Sequence, residues 1–387
     1  MISDLPYTDE HNIFRASARK FFETECAPQQ PAWEEAGMAP RTIWARAGEM
    51  GFLCSRVSPD HGGAGGDLLF SIILLEEQVR AGAIAPVLSL HSDVVAPYLA
   101  AYGTAAQKRA FLPRMVSGET IGAIAMTEPS GGSDLQAMLT TARRDGDDYI
   151  LNGRKTFITN GHSADLIIVA AKTDPEARGK GISLFLVEVD KVQGFSRGRM
   201  LKKLGQHASD TAELAFEDMR VPASCLLGGE EGRGFPQLMQ RLVEERLMTA
   251  VASMAMIDRA LAMTIDYVKG RKAFGQRIAD FQNTRFKLAE AKTEAAVLRI
   301  FLERCIGDFM EGRLDAPTSA MLKYWATEQQ WAIIDDCVQL HGGYGYILDY
   351  PIARMWLDGR VTRIYGGANE IMKDIVGRSV ASAARHD

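Results

Sequence analysis

Two carboxylates, Glu244 and Glu245, stand at the head of a long apolar segment, and the second has a setting suited to proton transfer. After Arg246 the chain runs Leu247-Met248-Thr249-Ala250-Val251-Ala252-Ser253-Met254-Ala255-Met256-Ile257 without a charge. The spacing predicts a helix, so a carboxylate at its edge loses part of its water. Desolvation favours the neutral acid, raises the pKa and makes the ionised group a better base. Glu244 points about 100° away around the helix and is expected in water. A competing reading makes Glu245 an i,i+4 partner of Arg241 on a wet face; the helix alone leaves the two even.

A second set of residues suits a ligand. In Met126-Thr127-Glu128-Pro129-Ser130-Gly131-Gly132-Ser133-Asp134 a proline and two glycines force a tight loop whose amides and hydroxyls can face a bound group. Alone it is a common surface loop. It gains weight from Phe157-Ile158-Thr159-Asn160-Gly161, a strand end with an aromatic followed by a hydroxyl. That pairing suits a flat heterocycle with carbonyl edges, such as a flavin. No G-x-G-x-x-G follows a strand, so a dinucleotide is not held in the Rossmann manner. Arg271, in Arg271-Lys272-Ala273-Phe274-Gly275-Gln276, can grip a pyrophosphate through two hydrogen bonds. Taken by itself it reads first as a basic helix end answering the macrodipole. Gln339-Leu340-His341-Gly342-Gly343-Tyr344-Gly345-Tyr346 closes another helix, with glycines that either cap it or let a ligand approach the backbone. The cluster His61–Gly66 has neither a P-loop lysine nor a preceding strand, and reads as a turn.

These residues need elements to hold them. The chain has 387 residues, enough for two or three domains with cores of their own. At 47% hydrophobic and 24% charged, with net charge −5, it offers no nucleic-acid or anionic-membrane surface. No apolar run reads as long enough to span a bilayer, so no membrane insertion is expected. Met1-Ile2-Ser3-Asp4-Leu5-Pro6 lacks the features of a secretory or organelle leader. The five scattered cysteines fit reduced thiols, so a cytoplasmic location is expected. The seven histidines show no ligand spacing, and no metal is expected.

Three zones follow from the periodicity. Residues 1–120 are mostly helical, with Asn12–Glu25 and Leu68–Arg80 as examples. Residues 121–230 carry strands at Tyr149–Gly153, Leu166–Ala170, Ile182–Val187 and Ala212–Phe216, with turns at Asp145-Gly146 and Asn152-Gly153. Little helix separates them, which predicts an antiparallel sheet or barrel. Residues 231–387 are helical again, with long amphipathic segments at Phe235–Gly270, Asn283–Glu311 and Thr318–His341, the pattern of an antiparallel bundle.

Taken together, Ala125-Met126-Thr127-Glu128-Pro129, Gly132-Ser133-Asp134, Phe157–Gly161, Arg271–Gly275 and Gln339–Gly343 resemble the acyl-CoA dehydrogenase family, in order and in approximate spacing over nearly the whole chain. Met321-Leu322-Lys323-Tyr324-Trp325-Ala326 and Tyr365-Gly366-Gly367-Ala368-Asn369-Glu370-Ile371-Met372-Lys373 look most like its long-chain branch. The resemblance implies a mainly helical α+β fold: a helical N-terminal domain, a β-barrel middle domain and a C-terminal four-helix bundle, usually as a homotetramer. It implies FAD, with the flavin on Ile124, Met126, Thr127, Ser133, Phe157, Ile158 and Thr159. The rest of the cofactor would reach Arg271, Phe274, Gln282, Gln339, Gly342 and Gly343 of a neighbouring subunit, with Ala368 and Glu370 also at the cofactor. The family commonly has threonine where Ala368 stands, so one cofactor hydrogen bond is lost here.

The family reaction removes an α-proton from an acyl-CoA thioester while the β-hydrogen leaves as hydride to the flavin, giving a trans-2-enoyl thioester. The family often carries a catalytic glutamate just after the tyrosine, where this sequence has Gly366. In the long-chain and isovaleryl branches the base stands on a bundle helix before an arginine, which here is Glu245-Arg246. With that substitution, the resemblance favours Glu245 as the base. Gly366 would offer its backbone N–H to the thioester carbonyl beside a ribityl hydroxyl of FAD, with Tyr365 and Gly367 lining the substrate and Arg246 and Ser133 near the CoA moiety. Electrons would pass to an electron-transfer flavoprotein. The alternatives are an acyl-CoA oxidase, a dehydrogenase of carrier-protein-bound acyl groups, or a flavin-binding protein without turnover. Val87–Tyr98 is the expected pocket floor, and Gly82, Ala83 and Ala85 either leave room for a long chain or pack helices closely.

Overall fold

The computed structural model describes residues 5–383. The opening stretch Met1–Asp4, used above for the leader expectation, lies outside the described residues. The N-terminal region is built from α1 (Asp9–Phe21), α2 (Gln30–Ala36), α3 (Arg41–Glu49), α4 (Leu68–Ala81), α5 (Ala96–Tyr102) and α6 (Ala105–Val116). Helix α1 runs on into a π-helical turn, Phe22–Cys26, and a second π-helical turn, Leu90–Val95, leads into α5. Asp67 caps α4 by accepting from the Leu69 N–H, and Gly82 ends it in the left-handed conformation. Buried Glu77 on α4 holds Arg15 and Arg19 of α1, so the two helices are clamped by paired charge as well as apolar contact.

The middle region is a seven-stranded sheet: β1 (Gly122–Ala125), β2 (Thr141–Asp145), β3 (Asp148–Thr159), β4 (Leu166–Lys172), β5 (Ile182–Glu188), β6 (Phe195–Met200) and β7 (Thr211–Pro222). The order is β1-β4-β2-β3-β7-β6, with β5 on β4. The sheet curls, but it is mixed and not antiparallel throughout, because β1 runs parallel to β4. Strand β4 is buried on both faces, which explains its unbroken apolar run. Ile167, Val169 and Ala171 face a core inside the sheet with Phe185 and Phe216. Leu166, Ile168 and Ala170 face a second core shared with Leu99 of α5 and Leu112 of α6.

Asp145 and Asp148 close the expected hairpin around Gly146, at φ +65°. The turn expected at Asn152-Gly153 is not one. Both residues lie inside β3, where the register on β7 slips between Leu151 and Gly153. A side chain at Gly153 would stand 2.4 Å from the Thr140 hydroxyl oxygen. The glycine allows a bulge and a close backbone approach where the dipeptide suggested a reversal.

The C-terminal region holds α7 (Gly234–Gly270), a small hairpin of β8 (Lys272–Ala273) and β9 (Gln276–Arg277), α8 (Gln282–Met310), α9 (Ala316–His341), α10 (Pro351–Gly359) and α11 (Asn369–Ala383). Asp315 caps α9, and Gly342 at φ +61° ends it. Leu247, Val251, Ile257 and Leu261 of α7 share one core with Leu298 and Leu302 of α8, Leu322 and Ile334 of α9, and Leu69 and Ile72 of α4. The sequence reading missed a property of α7: by length and composition it could cross a membrane. In this fold 61% of its apolar window is buried against the other elements.

Gly153→Ala is expected to destabilise the protein by about 1–3 kcal/mol, the cost of strain at a position with no room. Urea unfolding against wild type checks it; an unchanged midpoint would remove the bulge argument.

Candidate active site

Three consecutive residues of α7 meet three different environments, because successive side chains turn about 100° around the helix. Glu244 is 2% exposed, not solvated as the sequence suggested. Its carboxylate pairs with Arg56 on one oxygen and accepts from Arg241 Nη1 at 3.2 Å on the other. Arg241 therefore serves Glu244, and the wet-face pairing with Glu245 does not form. Arg56 also approaches buried Asp93, at 3.9 Å. Burial pushes Asp93 up to about 6.

Glu245 faces a fully buried tyrosine instead. Tyr98 at the end of the Val87–Tyr98 stretch donates its hydroxyl to Glu245 Oε1 at 3.2 Å. Burial pushes the Glu245 carboxyl from 4.5 up to about 7, and neighbouring Glu244 adds to the rise. The Tyr98 hydroxyl and the Arg246 and Arg241 cations pull the other way. Arg246 is 5% exposed, its Nε has no partner among the described residues, and burial lowers its pKa.

The turn from Tyr365 to Ala368 lies against this part of α7. A side chain at Gly366 would stand 3.5 Å from Thr249 Oγ1, and Thr249, one turn beyond Glu245, donates to the Glu245 carbonyl at 2.8 Å. The Gly366 turn therefore packs on α7 one helical turn beyond Glu245. Gly366 and Gly367 both have positive φ, +64° and +96°. The Gly366 N–H donates to no group among the described residues, whereas the neighbouring Tyr365 N–H is taken by Val361. Buried Asn369 anchors the far end of the turn.

The middle-domain loop is held from beneath. Lys155, fully buried, donates to the Met126 carbonyl at 3.0 Å and to Glu128 Oε1 at 2.9 Å. Glu128 also accepts the N–H groups of Leu139 and Thr140, and the Thr156 N–H bonds the Thr127 carbonyl. Ile124 and Ile158 are buried, Thr159 ends β3, and Ser133 is exposed. Phe157 is 68% exposed at φ +59°, a conformation an aromatic residue rarely takes. A rigid, uncovered ring beside a loop of amides and hydroxyls fits a flavin.

The other predicted cofactor residues lie elsewhere. Arg271, Gln339, Gly342 and Gly343 line a cavity of about 650 Å³ with Tyr267 and Tyr344. Arg271 lies over the Tyr344 ring and has no carboxylate partner among the described residues. Gln282 opens α8 and is exposed, as is Phe274 at 96%. Arg271 caps α7 and lies 26 positions beyond Glu245 (271 − 245), about 39 Å along a helix. Glu245 and Arg271 therefore stand at opposite ends of α7. Ala368 and Glu370 go with the Gly366 turn.

Family models for the acyl-CoA dehydrogenase N-terminal, middle and C-terminal domains match residues 8–119, 123–219 and 232–381. The chain belongs to the acyl-CoA dehydrogenase family. It is 50% identical to the long-chain specific acyl-CoA dehydrogenase, mitochondrial, of Mus musculus, over 97% of this chain and 87% of that protein. The crystal structure of an acyl-CoA dehydrogenase from Geobacillus kaustophilus superposes with a TM-score of 0.95 at 48% identity, over 98% of this chain and all of that one. A glutaryl-CoA dehydrogenase from Mycobacterium smegmatis, solved in complex with FADH2, superposes with a TM-score of 0.89 at 28% identity, over 97% and 95% of the two chains. This acyl-CoA dehydrogenase uses FAD and acts on an acyl-CoA, an oxidation that belongs to fatty-acid β-oxidation.

Sequence reasoning passed over Arg56, Thr249, Lys155 and Asn369 as site residues, and took Tyr98 only as part of a floor. Each is an ordinary helix, strand or, for Arg56, turn residue until the fold sets it beside the site. Gly82, left open above, makes room for Arg259: a side chain there would stand 2.3 Å from the guanidinium. Ala83 and Ala85 sit in the N-terminal core, so this stretch packs helices.

A raised carboxyl pKa has a stability consequence. The folded protein holds the Glu245 proton above the pH at which the unfolded chain releases it. Ionisation therefore costs folded stability progressively between about pH 4.5 and 7. Glu245→Gln, which keeps an acceptor for Tyr98, is expected to gain unfolding temperature relative to wild type as pH rises from 5 to 8. A difference that stays constant with pH would refute the raised carboxyl pKa.

Proposed function

We propose that Glu245 is the base that takes the α-proton of the bound acyl-CoA, and that the product is the trans-2-enoyl-CoA. The observation that supports it is that the Gly366 turn packs on α7 at Thr249, one helical turn from Glu245. FAD, when bound, accepts the β-hydrogen as a hydride.

The α-C–H of a thioester is a weak acid, so the base must be strong and the developing enolate oxygen must be met by donors. Glu245 has a pKa near neutrality, which keeps a working fraction ionised while leaving it basic. Tyr98 fixes one of its oxygens, leaving the other for the proton. The free N–H of Gly366 suits the thioester carbonyl oxygen. A bound acyl chain expels further water and strengthens both interactions. Tyr365 and Gly367 line the substrate, and Arg246 and Ser133 lie toward the CoA moiety. Met126, Thr127, Phe157 and Thr159 hold the flavin face, with Ile124 and Ile158 behind them and Ser133, Ala368 and Glu370 at the margins.

We also propose a homotetramer in which Arg271, Phe274, Gln282, Gln339, Gly342 and Gly343 of one subunit complete the cofactor site of the next. The distance of about 39 Å along α7 and the exposed Phe274 and Tyr346 support it. Electrons then leave to an electron-transfer flavoprotein. A reducing compartment, the cytoplasm, suits five free thiols.

Anaerobic titration with acyl-CoAs of increasing length tests the reaction. Some chain length should bleach the flavin of wild type, and Glu245→Gln should slow this by about 10²- to 10⁴-fold. Equal rates in the two proteins would sink Glu245 as the base. Oxygen consumption at the rate of turnover would replace the flavoprotein acceptor with an oxidase reaction.

A further inference from the structure

Met321–Ala326, which carries part of the long-chain likeness, lies on α9 and places Lys323 beneath the Gly366 turn. Lys323 is fully buried. Its ammonium donates to the Gly367 carbonyl at 2.8 Å and to Asn369 Oδ1 at 3.0 Å, and it meets no carboxylate at ion-pair distance among the described residues. Burial, and then the Arg246 cation, push it down to about 7. A buried cation without a counter-ion is costly, and here two of them, Lys323 and Arg246, stand near each other.

The turn they underlie would be loose on its own. Gly366 and Gly367 have the widest backbone freedom of any residue. Three residues of α9 hold its far end, at spacings of four and one that place Lys323 and Thr327 on one face. Thr327 Oγ1 donates to Asn369 Oδ1 or accepts from its Nδ2, and Glu328 accepts from that Nδ2 at 3.0 Å. Arg363, just before the turn, pairs with the same Glu328. Among the described residues the Gly366 N–H, like those of Gly367 and Ala368, donates to no protein group.

We propose that Lys323 is a positioning residue for the reaction: by gripping the Gly367 carbonyl and Asn369 it holds the Gly366 N–H at the substrate carbonyl and favours the enolate over the neutral thioester. The inference rests on the proposed roles of Glu245 and Gly366. Lys323 touches neither substrate nor cofactor in this scheme and acts through the turn. A displacement of the donor by an ångström is enough to cost about 10²-fold in rate.

Lys323→Met keeps the length of the side chain and removes the charge, so the desolvation cost of the ammonium is lifted. The probe is a 3-thia-acyl-CoA, whose α-proton can leave but which has no β-hydrogen to give. In flavin-loaded wild type its ionisation is read as a long-wavelength absorbance beside the flavin, as a function of pH. Lys323→Met is expected to raise the midpoint of that ionisation by a unit or more. With an oxidisable acyl-CoA it should lower kcat about 10- to 100-fold with little change in KM. A flavin-loaded variant with the wild-type midpoint and kcat overturns the inference. If Lys323→Met does not fold, Asn369→Ala decides by the same two readouts: a raised midpoint supports the inference, and wild-type values overturn it. A wild type that neither bleaches with acyl-CoA nor ionises the probe would instead condemn the reading of the site itself.

Discussion

The cost of burying charge governs this site. Residues 244–246 put three charges in a row at the head of an apolar helix, and the fold treats each differently. Glu244 receives two arginines and is structurally neutralised. Arg246 receives no such partner for its Nε. Glu245 receives a tyrosine hydroxyl and is left to answer burial by holding its proton. The pairing of Glu244 is what makes the last outcome possible. Arg56 and Arg241 take up Glu244 and leave Glu245 with no ion-pair partner among the described residues.

The same economy appears in the middle domain. The loop proposed to meet the flavin face is rich in glycine and would be mobile on its own, yet Lys155 and Glu128 form a buried pair beneath it whose remaining valences are taken by the Met126 carbonyl and two backbone amides. Rigid chemistry is mounted on flexible backbone by fully satisfied buried charge. Lys323 under the Gly366 turn follows the same plan, except that its partners are carbonyl oxygens and the carboxylates that favour its charge, Glu370 and Glu328, act from beyond ion-pair distance.

Length sets the other limit. Helix α7 carries Glu245 near one end and leads to Arg271 at the other, which sets the two far apart within one chain. The exposed rings of Phe274 and Tyr346 and the cavity around Arg271 lie at that second end. The proposed assembly rests on the reach of this helix and on the surface that the single chain leaves uncovered.

The sequence by itself determined the three zones, the long helices, four of the strands and the family, because periodic burial and loop motifs are local signals. It also singled out Glu245-Arg246 and the glycine at 366. It misplaced Glu244 in water, read a bulge at Gly153 as a turn, and passed over α7 as a segment long and apolar enough for a membrane. Each of these depends on what lies across space: Arg56, which is 188 residues away from Glu244; Thr140, which lies against Gly153; and the helices that cover α7. Only the tertiary structure decided that Tyr98 faces Glu245, that Gly366 faces Thr249, and that Lys323 grips the Gly367 carbonyl. Periodicity states which face of an element is buried, but not which charge or hydroxyl another element brings to it.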